Sequence, residues 1–87
     1  MGSSRGAVNA APVQAQRWFV MADGQRLWQL RREQRLSRQA LARRAGVSVS
    51  TVAQLERQTR TSCRGRTLAR LAVALSVQPA ALMPAPR

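Results

Sequence analysis

The stretch from Ser37 to Arg57 constrains the fold more than any other part of this chain of 87 residues. It contains two runs of helix-forming residues, each opened by a serine, with a glycine between them. A serine oxygen accepts a hydrogen bond from the free N–H groups of a first helical turn, so Ser37 and Ser48 are predicted helix caps. Gly46 stands where a helix ends in the left-handed conformation that glycine adopts at low cost. This pattern predicts two short helices joined by a tight turn.

The two predicted helices carry apolar residues at positions that can face a common core. These inward positions are Leu41, Ala42, Ala45, Val47, Val52 and Leu55. Ala42 is small at a point where two crossing helices need to touch closely. The arrangement is typical of a helix-turn-helix, in which the second helix enters the DNA major groove.

Charge is the strongest global feature of the chain. Fifteen arginines face three acidic residues and lysine is absent, which gives a formal net charge of +12. Such an excess repels itself in the isolated protein and indicates a polyanionic partner. A GC-rich genome also favours arginine over lysine, so we attribute the absence of lysine to that bias and the net charge to nucleic-acid binding. An acidic membrane fits less well, because no long helix sets a basic face opposite a bulky apolar one.

The residue inventory excludes several kinds of chemistry. The chain has one cysteine, Cys63, and no histidine, which excludes an internal disulfide, a Cys-based zinc site and a His-based catalytic triad. Only Asp23, Glu33 and Glu56 carry carboxylates, so we expect no enzyme activity, no metal and no cofactor. No apolar run is long enough to span a membrane and no signal peptide is recognisable, so a cytoplasmic protein is expected.

Three further helices are predicted around the central pair, which makes the expected fold an all-α domain of five helices. Their ranges are Gly24 to Arg35 with Asp23 as its cap, Thr67 to Leu75 with Thr67 as a possible cap, and Pro79 to Met83. The spacing of Leu68, Leu71, Ala72 and Leu75 defines the clearest buried face in the chain. We expect a flexible N-terminal arm at 1–17, a domain at 18–83 and a short tail at 84–87.

Two segments have less certain roles. Trp18 to Met21 is apolar and either packs on the core, which we favour because small domains need extra burial, or pairs with a second subunit. Gln58 to Arg66 is polar and is predicted to be a loop. Cys63 within it is either a redox sensor, with a pKa lowered by three nearby arginines, or a passive loop residue, which we favour.

The order of helices, with the turn motif on the second and third, resembles the lambda-repressor-like family of Cro proteins, phage repressors and XRE-type regulators. The resemblance covers about Arg26 to Met83. The residues that carry it are Leu41-Ala42, Gly46-Val47-Ser48, Val52, Leu55-Glu56 and the run Leu71-Ala72 to Leu75. Because spacing, caps and small residues agree, the motif is specific. It implies a sequence-specific DNA-binding transcriptional regulator, most often a repressor.

The resemblance also assigns roles to individual residues. In that family an arginine on the first helix pairs with a glutamate at the end of the third, and Arg31 and Glu56 occupy these positions. Arg31 lies on an inward stripe, so its charge needs a partner. The base-reading positions map onto the following residues: Val49, Ser50, Thr51 and Gln54. We expect Gln54 to be the main base reader, because its amide can form two hydrogen bonds with adenine.

Phosphate contacts are expected from basic and polar residues around the motif. The set is Arg38, Gln39, Ser48, Arg57 and Arg60, with Arg43, Arg64 and Arg66 as further candidates. Arg32, Arg35, Arg44 and Arg70 are assigned to the solvated surface, and Arg5 and Arg17 could let the arm touch DNA. Two positions depart from the family: Arg38 replaces a glutamine that touches both phosphate and the third helix, and Gln58 replaces a glycine after that helix.

The expected partner is double-stranded DNA, bound by a homodimer in the bacterial or phage-infected cytoplasm and thereby associated with the nucleoid. The dimer surface is either the last helix, at Ala81, Leu82 and Met83, or the Trp18 to Met21 segment. An alternative is a protein-interaction module, such as the antitoxin of a toxin–antitoxin pair, with DNA binding secondary. A general nucleoid-coating protein is disfavoured, because Val49, Ser50 and Gln54 are neutral on a face that non-specific binding would load with charge.

Overall fold

The computed structural model describes residues 18–85, so the predicted arm with Arg5 and Arg17 lies outside the described residues, as do the last two positions. The elements, in chain order, are strand β1 (Phe19–Ala22), helices α1 (Gly24–Glu33), α2 (Arg38–Ala45) and α3 (Val49–Glu56), strand β2 (Thr61–Arg64), helix α4 (Gly65–Ala74) and a 3-10 helix (Pro79–Leu82). Within 18–85 the fold is therefore four α-helices, one 3-10 turn and a two-stranded sheet.

The prediction of an all-α, five-helix domain is wrong in two respects. The last predicted helix is a single 3-10 segment that begins at Pro79 and ends with Met83 in an extended conformation. Pro84 accounts for this end, because a proline disfavours the helical conformation in the residue before it. The second departure is the sheet.

Strands β1 and β2 pair in antiparallel register, with Phe19 opposite Arg64 and Val20 opposite Cys63. The second half of the predicted loop at 58–66 is therefore a strand. The local sequence does not reveal it, because its residues are mostly polar and its stability comes from a partner strand distant in the sequence. Helix α4 begins directly after β2, and the Gly65 N–H donates to the Trp18 carbonyl at 2.7 Å.

Only part of the segment at Trp18 to Met21 packs on the core. Val20 is half-buried and packs against the core, and Ala22, at the end of β1, is 3% exposed. Trp18 and Phe19, by contrast, are each 67% exposed. The core-packing prediction holds for one face of the strand only.

The predicted caps around the motif are confirmed. Ser37 accepts a hydrogen bond from the Ala40 N–H, and Ser48 accepts one from the Thr51 N–H, each at 3.0 Å. Gly46 ends α2 in the left-handed region, with φ of 73°. Asp23 likewise caps α1 through the Arg26 N–H at 3.1 Å. The prediction that Thr67 caps the next helix is wrong, because α4 begins at Gly65 and has no side-chain cap.

The core lies between α1, α2, α3, α4 and the 3-10 helix. Its most deeply buried side chains are Leu41, Val52, Leu71, Leu75 and Leu82. All six predicted inward positions of the motif are buried except Val47, which is half-buried and packs against the core. Across residues 18–85, none of the helices combines the length and apolar character needed to cross a membrane.

Gly24 allows the start of α1 to approach the end of α3 closely. A Cβ atom added at Gly24 would lie 1.8 Å from the Leu55 carbonyl oxygen and 2.1 Å from that of Gln58. Both contacts are with backbone atoms, which cannot rotate away as a side chain can. The position of α3 relative to α1 therefore depends on the absence of a side chain at residue 24.

Candidate nucleic-acid interface

Helix α3 presents one apolar and one polar face. Val52 and Leu55 are buried, whereas Val49, Ser50 and Gln54 are exposed. Thr51 is half-buried and its hydroxyl lies 2.8 Å from the Ser48 hydroxyl, so this group is already engaged in the cap. Three of the four predicted base-reading side chains thus face solvent on one short helix, and the fourth supports the first turn.

The end of α3 is tied to α1 by a buried ion pair. Arg31 Nε donates to Glu56 Oε2 at 2.6 Å, and Arg31 Nη2 donates to Glu56 Oε1 at 3.0 Å. Arg31 Nη1 also donates to the Leu36 carbonyl at 2.8 Å. The Glu56 side chain is only 1% exposed. The guanidinium fork therefore holds both carboxylate oxygens in the two-pronged geometry that gives the strongest charge-assisted hydrogen bonds.

Arg38, at the start of α2, also reaches Glu56. Its Nε donates to Glu56 Oε1 at 3.1 Å, while the side chain stays 48% exposed. Arg38 thus links α2 to α3. One carboxylate therefore joins α1, α2 and α3.

A shallow cleft of about 370 Å³ opens beside this ion pair, between α2 and α3. It is lined by Arg31, Ser37, Arg38, Gln39, Val49 and Ala53. The structure thereby brings two predicted phosphate-binding residues, Arg38 and Gln39, next to one predicted base reader, Val49. Ser48, a further predicted phosphate contact, has its hydroxyl committed to the α3 cap.

The remaining predicted phosphate contacts are spread over several elements. Arg57 follows α3 as its C-cap, Arg60 lies in the next turn and Arg43 lies near the end of α2, and all three are exposed. Arg64 is on β2, where its guanidinium lies 5.9 Å from the centre of the Phe19 ring.

Arg66 lies apart from the cleft, in a second groove of about 370 Å³ between α2 and α4. Its other lining residues include Arg44 and Arg70, which the sequence assigned to the solvated surface. Arg70 Nη1 donates to the Gly46 carbonyl at 3.3 Å. The sequence could not reveal this group of three arginines, because helix packing, rather than local spacing, brings α2 and α4 together.

Cys63 does not have the surroundings expected of a redox sensor. It is 8% exposed and lies on the core side of β2, opposite Val20. Burial raises the pKa of its thiol above the ordinary value, whereas the redox hypothesis required a lowered pKa. The interpretation of Cys63 that the sequence favours is a passive residue in a loop. Its position in a loop is wrong, because Cys63 belongs to strand β2. In residues 18–85, no group of three or more His, Cys, Asp or Glu side chains could hold a metal ion.

Comparison with known proteins agrees with this geometry. The restriction-modification controller protein C.AhdI from Aeromonas hydrophila is 37% identical to this chain, with a TM-score of 0.63 over 69% of this chain and 89% of that one. SinR, a master regulator for biofilm formation solved in complex with DNA, is 33% identical, with a TM-score of 0.62 over 66% and 90%.

A chain in the structure of the SinR protein/SinI protein complex is 34% identical to this chain, with a TM-score of 0.60 over 64% of this chain and 54% of that one. No curated protein matches the chain. The model of the Cro/C1-type helix-turn-helix DNA-binding domain matches residues 26–85, which is most of the sequence. The chain therefore belongs to the Cro/C1-type family of helix-turn-helix DNA-binding regulators.

Proposed function

We propose that this DNA-binding regulator recognises a specific operator by placing α3 in the major groove, and that it represses transcription by occupying that site. The observation that carries the proposal is that α3 is held in place at both ends while one of its faces is exposed. The helix is capped by Ser48 and tied through Glu56 to α1 and α2, yet its Val49, Ser50 and Gln54 side chains are exposed. A rigid helix with a free polar face can hold side chains at fixed distances from base edges.

Each exposed side chain has a chemically matched base partner. The Gln54 amide can donate to and accept from adenine, and the Val49 side chain can contact a thymine methyl group. The Ser50 hydroxyl can donate or accept and therefore contributes less discrimination. Thr51 has its hydroxyl engaged with Ser48, which leaves its methyl group for an apolar contact.

Phosphate binding is proposed for basic and polar residues around α3. Arg38 and Gln39 lie at the cleft beside Val49, and Arg57 and Arg60 follow the helix. The further members of the set are Arg43, Arg64, Arg66 and Ser48. These contacts would position α3 without reading sequence, because phosphates are the same at every base pair.

The active species is proposed to be a homodimer in the cytoplasm, associated with the nucleoid through DNA. One module covers few base pairs, and a two-fold protein matches a two-fold operator. In this scheme a protein partner would act by regulating the binding of the dimer to DNA. The antitoxin alternative is not favoured, because the matched family is defined by DNA binding.

The test is a footprint on the DNA upstream of the protein's own gene, followed by binding titrations with Gln54→Ala. We expect this variant to lose about 1–3 kcal/mol at one base pair and to bind the other positions as before. Arg57→Ala serves as the control, since loss of a phosphate contact should weaken binding to all sequences about equally. An equal loss on operator and random DNA in Gln54→Ala would contradict the assignment.

A further inference from the structure

Strand β1 and the residue before it carry three exposed apolar side chains close together in the chain. Trp18 and Phe19 are 67% exposed and Met21 is 43% exposed, and these are three of the seven large apolar residues exposed within residues 18–85. Single exposed apolar residues are ordinary on a protein surface, whereas a contiguous group marks a contact surface. Phe19 and Met21 alternate with Val20 and Ala22, so they lie on the outer face of the sheet.

Within residues 18–85, the backbone N–H and C=O groups of Phe19 and Met21 also have no partner strand. The Gly65 N–H donates to the Trp18 carbonyl, and the pairing register makes Trp18 and Gly65 direct partners. Hydrogen-bonded and non-hydrogen-bonded pairs alternate along an antiparallel ladder, so the N–H and C=O groups of Phe19 and Met21 point away from β2. Within residues 18–85 the sheet has only these two strands. The outer edge of β1 is therefore a template for a further strand.

The other candidate for self-association, the 3-10 helix, is largely used within the subunit. Leu82 is 1% exposed and its carbonyl accepts a hydrogen bond from the Asp23 N–H at 2.8 Å. Ala81 is half-buried against the core, so of the three residues predicted to form a dimer surface here only Met83 is exposed, at 37%. The segment therefore offers little unpaired apolar surface to a second subunit.

We propose that the β1 edge joins two copies of this chain across a two-fold axis and forms a four-stranded antiparallel sheet. The inference rests on the proposed function, which requires two copies on a two-fold operator. A register centred on Val20 sets Phe19 of each copy opposite Met21 of the other, so that every outward N–H and C=O of these two residues finds a partner. The contact is the same patch on both subunits, as a two-fold dimer requires.

Three properties of β1 fit a second copy. Residues 18–22 carry no charged side chain, so the two edge strands themselves bring no like charges together although each molecule has a net charge of +12. The edge is self-complementary in its hydrogen bonding. A two-stranded sheet is also marginal alone and gains stability from added strands. Because strands of four residues bury little area, the free dimer should be weak and should form mainly on DNA.

The test substitutes Phe19→Gln and uses Val73→Gln as the matched control, because a carboxylate at either position would lie close to arginines proposed to bind phosphate. Val73 is an apolar residue of α4 that is 77% exposed and lies outside the proposed contact. Self-association is measured by sedimentation, and binding is titrated on DNA carrying one or two half-sites. We expect Phe19→Gln to weaken dimerisation and cooperative binding to two half-sites by about tenfold or more, which corresponds to about 1.4 kcal/mol. Its affinity for one half-site and the behaviour of Val73→Gln should match the wild type.

A second variant tests the backbone contribution. Met21→Pro removes one outward N–H but none of the bonds to β2, so it should reduce dimerisation while leaving the thermal melt nearly unchanged. Unaltered dimerisation in both variants would overturn the proposal. So would a wild-type protein that stays monomeric on two half-sites, or one that dimerises only after deletion of residues 1–16, since the arm would then be the occupant of the edge. Absence of specific DNA binding with an intact dimer would instead reject the proposed function.

Discussion

At the scale of single residues, Glu56 is the most consequential side chain of the motif. Its buried carboxylate accepts hydrogen bonds from Arg31 and from Arg38, which belong to two different helices. Removing a partner from a buried charge costs more than the pair itself contributes, because the remaining charge loses water without a replacement. The two arginines differ in burial, so their loss should have different effects.

Arg31→Ala is expected to lower the free energy of unfolding by about 3–5 kcal/mol, because it leaves the buried Glu56 carboxylate with only the bond from the exposed Arg38 and removes a donor to the Leu36 carbonyl. Chemical denaturation measures the change. The control is Arg32→Ala, whose side chain stacks over the Trp28 ring at 5.0 Å on the surface and should contribute about 0.5–1 kcal/mol. A denaturation midpoint that is the same for Arg31→Ala and the wild type would show that the ion pair has no structural role.

At the scale of elements, the close contact between the start of α1 and the end of α3 constrains the position of α3. Gly24 occupies the first position of α1, where the Leu55 and Gln58 carbonyls leave no room for a Cβ atom. The same end of α3 carries Glu56. Steric contact and the ion pair therefore fix one end of the helix, while the Ser48 cap orders the other.

Gly24→Ala is expected to destabilise the protein by about 1–3 kcal/mol, even though alanine is the better helix former, because two backbone carbonyls would have to move. It should also weaken operator binding, since α3 would shift with them. Thermal unfolding and a DNA titration measure the two effects. Gln25→Ala, at the next and exposed position of α1, should change neither. If Gly24→Ala were as stable as Gln25→Ala, the close approach would not govern the position of α3.

The elements also show what local sequence can and cannot predict. Ser37, Gly46 and Ser48 act on their own neighbours in the chain, so the caps and the turn of the motif could be predicted from the sequence. Strand β2 could not, because its pairing with β1 depends on residues brought together only by folding. Base-reading and phosphate-binding roles are contacts with a molecule outside the chain, and for these the sequence supplies candidates.

At the scale of the whole molecule, positive charge surrounds α3 on several elements. Of the three acids, Asp23 caps α1 and Glu56 is buried, so little negative charge offsets the arginines at the surface. Each phosphate that an arginine neutralises releases condensed counterions from DNA, and this release drives binding at low salt.

If about six phosphates are neutralised, the logarithm of the affinity should fall with the logarithm of salt concentration with a slope near −5. Titrations at several salt concentrations give this slope. Arg57→Ala should make it less steep by about one, whereas Gln54→Ala should leave it unchanged because Gln54 carries no charge. A wild-type slope near zero would be incompatible with electrostatic DNA binding.

The pairing of β1 with β2 has a consequence for how the molecule folds. The bond between the Trp18 carbonyl and the Gly65 N–H closes a loop that contains α1, α2 and α3. Closing such a long loop costs chain entropy before any local contact repays it, so non-local pairing of this kind slows folding. Because α1, α2 and α3 precede β2 in the chain, all three helices are synthesised before the strand that closes the loop around them.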